Sequence, residues 1–158
     1  MTTNNITSKK YPFDNTIRDF FLKKQLSNFN QFTIDKESTE YNGCSFFINE
    51  KKIIYRDSKI TPKKIGQFVT FWKRDNQGIT TPFHEDDNID FYVINVQFEN
   101  QLGQFIFPKD ILIKKGIIST NQKEGKRGFR VYPIWDKTMS KQALSTQKWQ
   151  VSFFYQHK

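Results

Sequence analysis

The stretch IDFYVINVQFENQLGQFIFPKDILIKKG, running from Ile89 to Gly116, decides the fold class. Ile89 to Phe98 is dense in β-branched and aromatic residues and reads as the clearest strand, with Gly103 to Phe107 as its partner across a short turn at Glu99 to Leu102. Pro108 lacks a backbone N–H and has its φ preset for helix, so it suits a helix start. Lys109 to Lys115 then forms the helix, and Gly116 stops it in the left-handed position after the last turn. A strand pair that passes directly into a helix predicts an α/β (α+β) fold. Its central sheet is expected to be mixed, largely antiparallel and flanked by helices.

Working outward, Cys44 to Ile48 and Ile53 to Tyr55 read as a β-hairpin across turn residues Asn49 to Lys51. Thr61 as N-cap with Pro62 behind it predicts a short helical turn stopped near Gly66. A strand follows in which Phe68, Thr70 and Trp72 alternate with Val69, Phe71 and Lys73, ended by Asp75 to Gly78. On the far side, Ser119 to Arg127 is a basic loop and Phe129 to Tyr132 a further strand. Ser140 caps a C-terminal helix in which Leu144, Val151 and Tyr155 are expected to share a face. Near the N-terminus, Asp14 or Asn15 caps an amphipathic helix carrying Ile17, Phe20, Phe21 and Leu26. A weaker segment around Phe29, Phe32 and Ile34 leads into a polar loop from Asp35 to Glu40. Residues 1–12 read as a frayed end and 13–158 as one domain.

The chain has 158 residues, 16% of them aromatic with 17 Phe, and scarcely any Ala, so its core is built from rings and Ile. The formal charge of +9 gives a positive field that favours encounter with nucleic acid or another anionic surface, although a Lys-rich genome composition would also produce it. Cys44 stands alone, the first dozen residues have no apolar core of a leader, and no run approaches a membrane span. These features predict a cytoplasmic protein with no membrane partner.

The chemistry concentrates between Tyr55 and Arg74. Asp57, Ser58 and Lys59 at a strand end, with Glu40 at the start of the preceding strand, have the layout of the PD-(D/E)xK nucleases. In those enzymes carboxylates hold Mg²⁺ and a lysine approaches the scissile phosphate. The plainer reading is an exposed ion pair, and Arg56 would compete with a metal for Asp57. The other constellation is cationic. Arg56 and Lys59, Lys63 and Lys64, Lys73 and Arg74, Lys114 and Lys115, and Lys123, Lys126, Arg127 and Arg130 fall near element ends, where they could hold DNA or RNA phosphates. Phe71, Trp72 and Tyr132 are candidate stacking platforms for unpaired bases, or simply core. Asp86, Asn88 and Asp90 have the opening spacing of a calcium loop, but Phe91 stands where that loop needs Gly and Gln97 where it needs Glu, so the cluster reads as a solvated turn. No zinc spacing, phosphate-binding glycine loop or serine elbow is present in the sequence.

The run Lys59 to Thr70 with Trp72, Lys73 and Arg74 resembles the signature of the MepB family. So do Glu40 and Tyr41; Ile89 to Phe91; Gly103 to Pro108; Lys115 to Ile117; Gly125 to Arg127; Arg130 to Pro133 with Trp135 and Asp136; and Gln147 with Trp149. The resemblance runs from about Phe13 to Tyr155 and makes residues 13–158 a single MepB-like domain. It implies a bacterial protein named for its place beside a multidrug efflux pump, a fold similar to restriction endonucleases, and nucleic-acid binding. In the family pattern Arg56 and Lys59 are typical and Asp57 is not, which implies a binder with degenerate chemistry and no cofactor. The alternatives are a Mg²⁺-dependent endonuclease using Glu40, Asp57 and Lys59, and a protein-interaction or accessory module. The latter would expose Trp72, Trp135 and Trp149 as one apolar patch.

Overall fold

The structure, a computed structural model, describes residues 28–157. The expected helix after Asp14 lies outside the described residues. The first strands form a meander: β1 (Phe29–Ile34), β2 (Cys44–Ile48) and β3 (Lys51–Asp57), each antiparallel to the next. β8 (Phe91–Phe98) lies parallel to β3, β9 (Gln101–Pro108) returns antiparallel to it, and β11 (Phe154–Gln156) closes the edge. The result is a six-stranded sheet in the order β1-β2-β3-β8-β9-β11, mixed through its single parallel pair.

Both faces of the central strands are covered. Tyr92, Ile94, Val96, Phe105 and Phe107 join one core cluster, while Val93 and Ile106 join another with Phe46, Ile48, Ile53 and Tyr55. Alternate residues of β8 and β9 therefore feed opposite cores, as the pleat requires. The larger core is aromatic: the Phe71 ring meets Phe83, Tyr92 and Phe129 at centroid distances of 4.8, 5.0 and 5.1 Å. Each ring buried there contributes about 1.5–3 kcal/mol from desolvation.

The connection from β3 to β8 is elaborated into β4 (Lys59–Thr61), β5 (Lys64–Thr70), β6 (Trp72–Arg74) and β7 (Thr80–Pro82). β4 and β5 form a small sheet with β10 (Gly128–Val131), in the order β10-β5-β4, and β6 pairs with β7. Here the structure corrects the expected helical turn after Thr61. Pro62 and Lys63 are instead the two turn residues of the β4–β5 hairpin, and Gly66, at φ +87°, lies beside an irregularity in its register. A proline fits the first corner of a tight turn and a glycine a left-handed bulge position as well as they fit a helix start and stop. The strand expected through Trp72 also breaks, at Phe71, whose ring turns into the core while its N–H donates to the Arg127 carbonyl.

The helices follow their punctuation. α1 (Lys109–Lys114) starts after Pro108, and Gly116 follows its last turn at φ +73°. α2 (Lys141–Gln150) is capped by Ser140, whose Oγ accepts from the Ala143 N–H. Its apolar face is not the expected one. Leu144 is 58% exposed, Val151 lies in a 3-10 turn and Tyr155 on β11, because α2 ends at Gln150. Among the described residues no helix is long and apolar enough to cross a membrane.

Candidate functional site

The expected nuclease constellation is partly assembled, and its Asp57 carboxylate is engaged. Asp57 ends β3 opposite Asn95 of β8. Its Oδ1 accepts from Tyr55 Oη at 2.6 Å and Asn95 Nδ2 at 3.1 Å, and its Oδ2 accepts from Asn42 Nδ2 at 2.6 Å. Asn95 in turn accepts from the buried Gln104 amide at 2.7 Å, so Asp57 terminates a polar chain running into the sheet. Glu40 belongs to a 3-10 segment, Lys36–Tyr41, instead of the start of β2, and its carboxylate is 83% exposed at 4.0 Å from Lys59 Nζ. Lys59 also sits 4.6 Å over the Tyr41 ring. Asp57 thus spends its oxygens on neutral donors and Glu40 faces an ammonium. The described residues contain no group of three or more His, Cys, Asp or Glu placed to hold a metal. This donor set does not fit Mg²⁺, which needs several oxygens free to converge around it.

Arg56, expected at a phosphate-binding surface, is buried at 2% exposure. Its Nη1 donates to Asp35 Oδ2 at 2.6 Å and to the Tyr55 carbonyl, and the guanidinium packs on Gly43, where a Cβ would stand 2.9 Å from Nη1. Arg56 therefore does not reach the surface proposed for it. Lys73 pairs with Asp87. Arg74 lies over the Trp72 ring and donates to the Gly78 carbonyl, and Arg127 is divided between Glu124 and the Thr80 carbonyl. The acidic cluster after His84 is a capped 3-10 turn: His84 Nδ1 accepts from the Asp86 N–H, and Asp87 accepts from the His84 N–H.

Five of the expected cations do converge. Lys63 and Lys64 of the β4–β5 hairpin, Lys115 at the end of α1, Lys126, and Arg130 of β10 line one groove of about 630 Å³, and among the described residues no Asp or Glu lines it with them. None of these five takes part in an ion pair among the described residues. Phe129, Tyr132 and Trp149 supply rings to the same groove, and α2 forms its opposite wall.

The walls are fixed by side chains that bond to backbone. Buried Gln150 of α2 accepts from the Tyr132 N–H at 2.8 Å and donates to the Arg130 carbonyl at 2.9 Å, imitating a neighbouring strand along the edge of β10. Gln147 donates to the carbonyls of Pro133 and Asp136, tying α2 to the chain after Tyr132. Arg130 is held by Thr61 Oγ1 at 2.6 Å and lies near the carbonyls of Ile65 and Gly66. The Tyr132 ring lies on Gly66, where an added Cβ would come within 2.6 Å of it. Lys115 Nζ sits 5.5 Å over the Trp149 ring. Behind this wall burial raises the Asp136 carboxyl above its ordinary pKa, opposed by the Gly66 N–H.

Sequence reasoning did not assign Trp149 to the cationic surface, although it falls in a block of family resemblance. Of the proposed stacking rings only Tyr132 reaches the groove; Phe71 is fully buried and Trp72 lies under Arg74. The three tryptophans do not form one patch, since Trp135 packs edge-on against Phe154 and Trp149 lines the groove.

The chain matches the MepB-like family over residues 35–156. Among solved structures it is similar to a crystal structure of MepB, at 34% identity and a TM-score of 0.79, covering 92% of this chain and 97% of that one. No curated protein matches it. With the family matched across most of the chain, and a relative aligned over nearly its whole length, the protein belongs to the MepB-like family.

Proposed function

We propose that this protein binds DNA or RNA in the groove between the β4–β5 hairpin and α2, and that it holds the polyanion without cutting it. The observation that carries the reading is the lining itself: five cations with no carboxylate beside them among the described residues, interleaved with three aromatic rings. Each phosphate neutralised in such a groove would release condensed counterions, and rings between the cations give base faces a surface to lie on. The nuclease-like ancestry implied by the family pattern agrees with a strand end where Asp57 is committed to Tyr55, Asn42 and Asn95. A cytoplasmic role beside a multidrug efflux pump is part of the same proposal and rests on the family alone.

Fluorescence anisotropy with labelled DNA and RNA oligonucleotides across a salt series tests the reading. The expected result is affinity that falls linearly on a log–log plot, with a shallower slope in Lys63→Ala/Lys64→Ala. No binding at low ionic strength would end the proposal. Incubation with Mg²⁺ and Mn²⁺ should leave the oligonucleotides intact; cleavage that disappears in Asp57→Ala/Lys59→Ala would replace binding alone with catalysis.

A further inference from the structure

A second cavity, of about 220 Å³, opens between the six-stranded sheet and the β6–β7 hairpin and shares no lining residue with the groove. Its polar wall carries Lys52, Arg56 and Lys73 against Asp35 and Asp87. The two carboxylates are already engaged, Asp35 by Arg56 and Asp87 by Lys73. Among the described residues, one cation of this wall, Lys52, is therefore left without a carboxylate partner. The opposite wall is apolar, with Ile54, Trp72, Phe83 and Ile89.

An independent feature points the same way. Arg56 is 2% exposed, and its Nε–H is buried with no hydrogen-bond partner among the described residues, although the same guanidinium bonds Asp35 and the Tyr55 carbonyl and lies 5.8 Å from the Phe83 ring. An orphaned donor on a buried cation costs stability unless something accepts from it, and an anionic oxygen is the acceptor that rewards it most. We propose that this cavity binds a small organic anion, with its carboxylate or phosphate group toward Lys52 and Arg56 and its apolar or aromatic body against Trp72 and Phe83. The size suits one ring and one anionic group. The bound anion would neutralise the excess positive charge that the two internal ion pairs leave.

The test is titration of the full chain with benzoate, inorganic phosphate and a nucleoside monophosphate, followed by thermal shift and by tryptophan fluorescence. At least one probe is expected to raise the melting temperature. Lys52→Met, which removes a partly exposed ammonium and leaves both ion pairs in place, should weaken that probe roughly tenfold, the order expected for one charge-assisted contact. Lys63→Ala/Lys64→Ala should leave it within about twofold, since additivity holds for sites without shared partners. Benzoate binding best would identify a carboxylate ligand, and the nucleotide or phosphate binding best a phosphate one. The inference is overturned if no probe shifts the melting temperature, if Lys52→Met leaves binding unchanged while circular dichroism shows it folded, or if the groove variant abolishes binding equally. Oligonucleotide binding by wild type is read separately, so failure here leaves the groove proposal standing.

Discussion

Lys63, Lys64, Lys115 and Lys126 line the groove with no carboxylate partner among the described residues, whereas Lys59, at the far end of the β4–β5 hairpin, faces Glu40 and the Tyr41 ring. Both regions combine cations, aromatics and strand ends. They differ in what the fold leaves over. At the strand end every charge meets a counter-charge or neutral donors, and the Asp57 carboxylate is absorbed into a polar chain through Asn95 to Gln104. In the groove the counter-charges are missing while the walls are rigidly bonded. Surplus charge on a fixed frame is what attracts a polyanion, so net charge by itself is a poor guide to where one would bind.

The largest effect should come from the most deeply paired cation. Arg56→Leu removes the partner of Asp35 and the group packed on Gly43, and breaking a buried pair from one side costs about 3–5 kcal/mol. Because Asp35 keeps 20% exposure, the expected loss is near the lower end of that range, about 3 kcal/mol by urea denaturation. A loss below about 1 kcal/mol, the scale of an exposed pair, would mean that Arg56 is not locked in the frame and would reopen its expected place on the nucleic-acid-binding surface.

The next test sets the two populations of cations against each other at equal charge. Lys63→Ala/Lys64→Ala/Lys126→Ala and Lys73→Ala/Arg74→Ala/Arg127→Ala each remove three positive charges. Only the first set should flatten the salt dependence of duplex binding, by about 0.9 in the log–log slope for each phosphate that is no longer neutralised. Equal flattening by both sets would show that the field of the whole molecule does the binding, and the contrast between paired and unpaired cations would fail.

How far this contrast was legible in the sequence depends on the range of the interactions. The β2–β3 and β8–β9 pairs and both helix boundaries around Pro108, Gly116 and Ser140 are written in local signals, namely alternation, turn residues and caps. Pro62 and Gly66 misled because their backbone preferences serve a turn and a bulge as well as a helix. The pairing of the cations was not legible at all. Arg56 meets a carboxylate 21 residues away, and its neighbours in sequence give no sign of it. Lys63, Lys64, Lys115, Lys126 and Arg130 stood out as members of basic clusters, yet their meeting with one another and with Trp149 depends on α2 docking through Gln150. That docking joins side chain to backbone and carries no periodic signature.

The frame of the groove can be probed at two glycines. Gly66 and Gly78 both have positive φ, of +87° and +78°, so an alanine at either is strained by about 1 kcal/mol or somewhat more. At Gly78 the added Cβ meets nothing within 4 Å, but at Gly66 it meets the Tyr132 ring at 2.6 Å. Gly66→Ala should therefore cost more than Gly78→Ala by roughly 1–2 kcal/mol, the scale of an overpacked contact, and should also weaken oligonucleotide binding by moving Tyr132. Equal stabilities would show that Tyr132 swings away freely and that the groove wall is softer than its hydrogen bonds suggest.

The smallest effect concerns the carboxyl behind that wall. Asp136 Oδ2 is buried without a partner among the described residues, and burial raises the carboxyl pKa although the Gly66 N–H pulls the other way. A folded pKa above the unfolded value means that folding favours the protonated acid. The favourable contribution is fully present below the unfolded Asp value of about 3.9 and is lost as pH rises through the folded one. Near neutrality the ionised group therefore weakens the fold, and Asp136→Asn, which keeps an oxygen for the Gly66 N–H and discards the charge, should be the more stable protein. Its advantage should shrink as the pH falls and vanish once wild-type Asp136 is protonated in both states. Urea denaturation of both proteins at about pH 7 and about pH 3 measures this difference directly. An advantage that does not change with pH would assign the gain to packing. A loss at neutral pH would mean that the charge is wanted there, as a carboxylate placed to bias the Gly66 backbone and, through it, the ring and guanidinium of the groove.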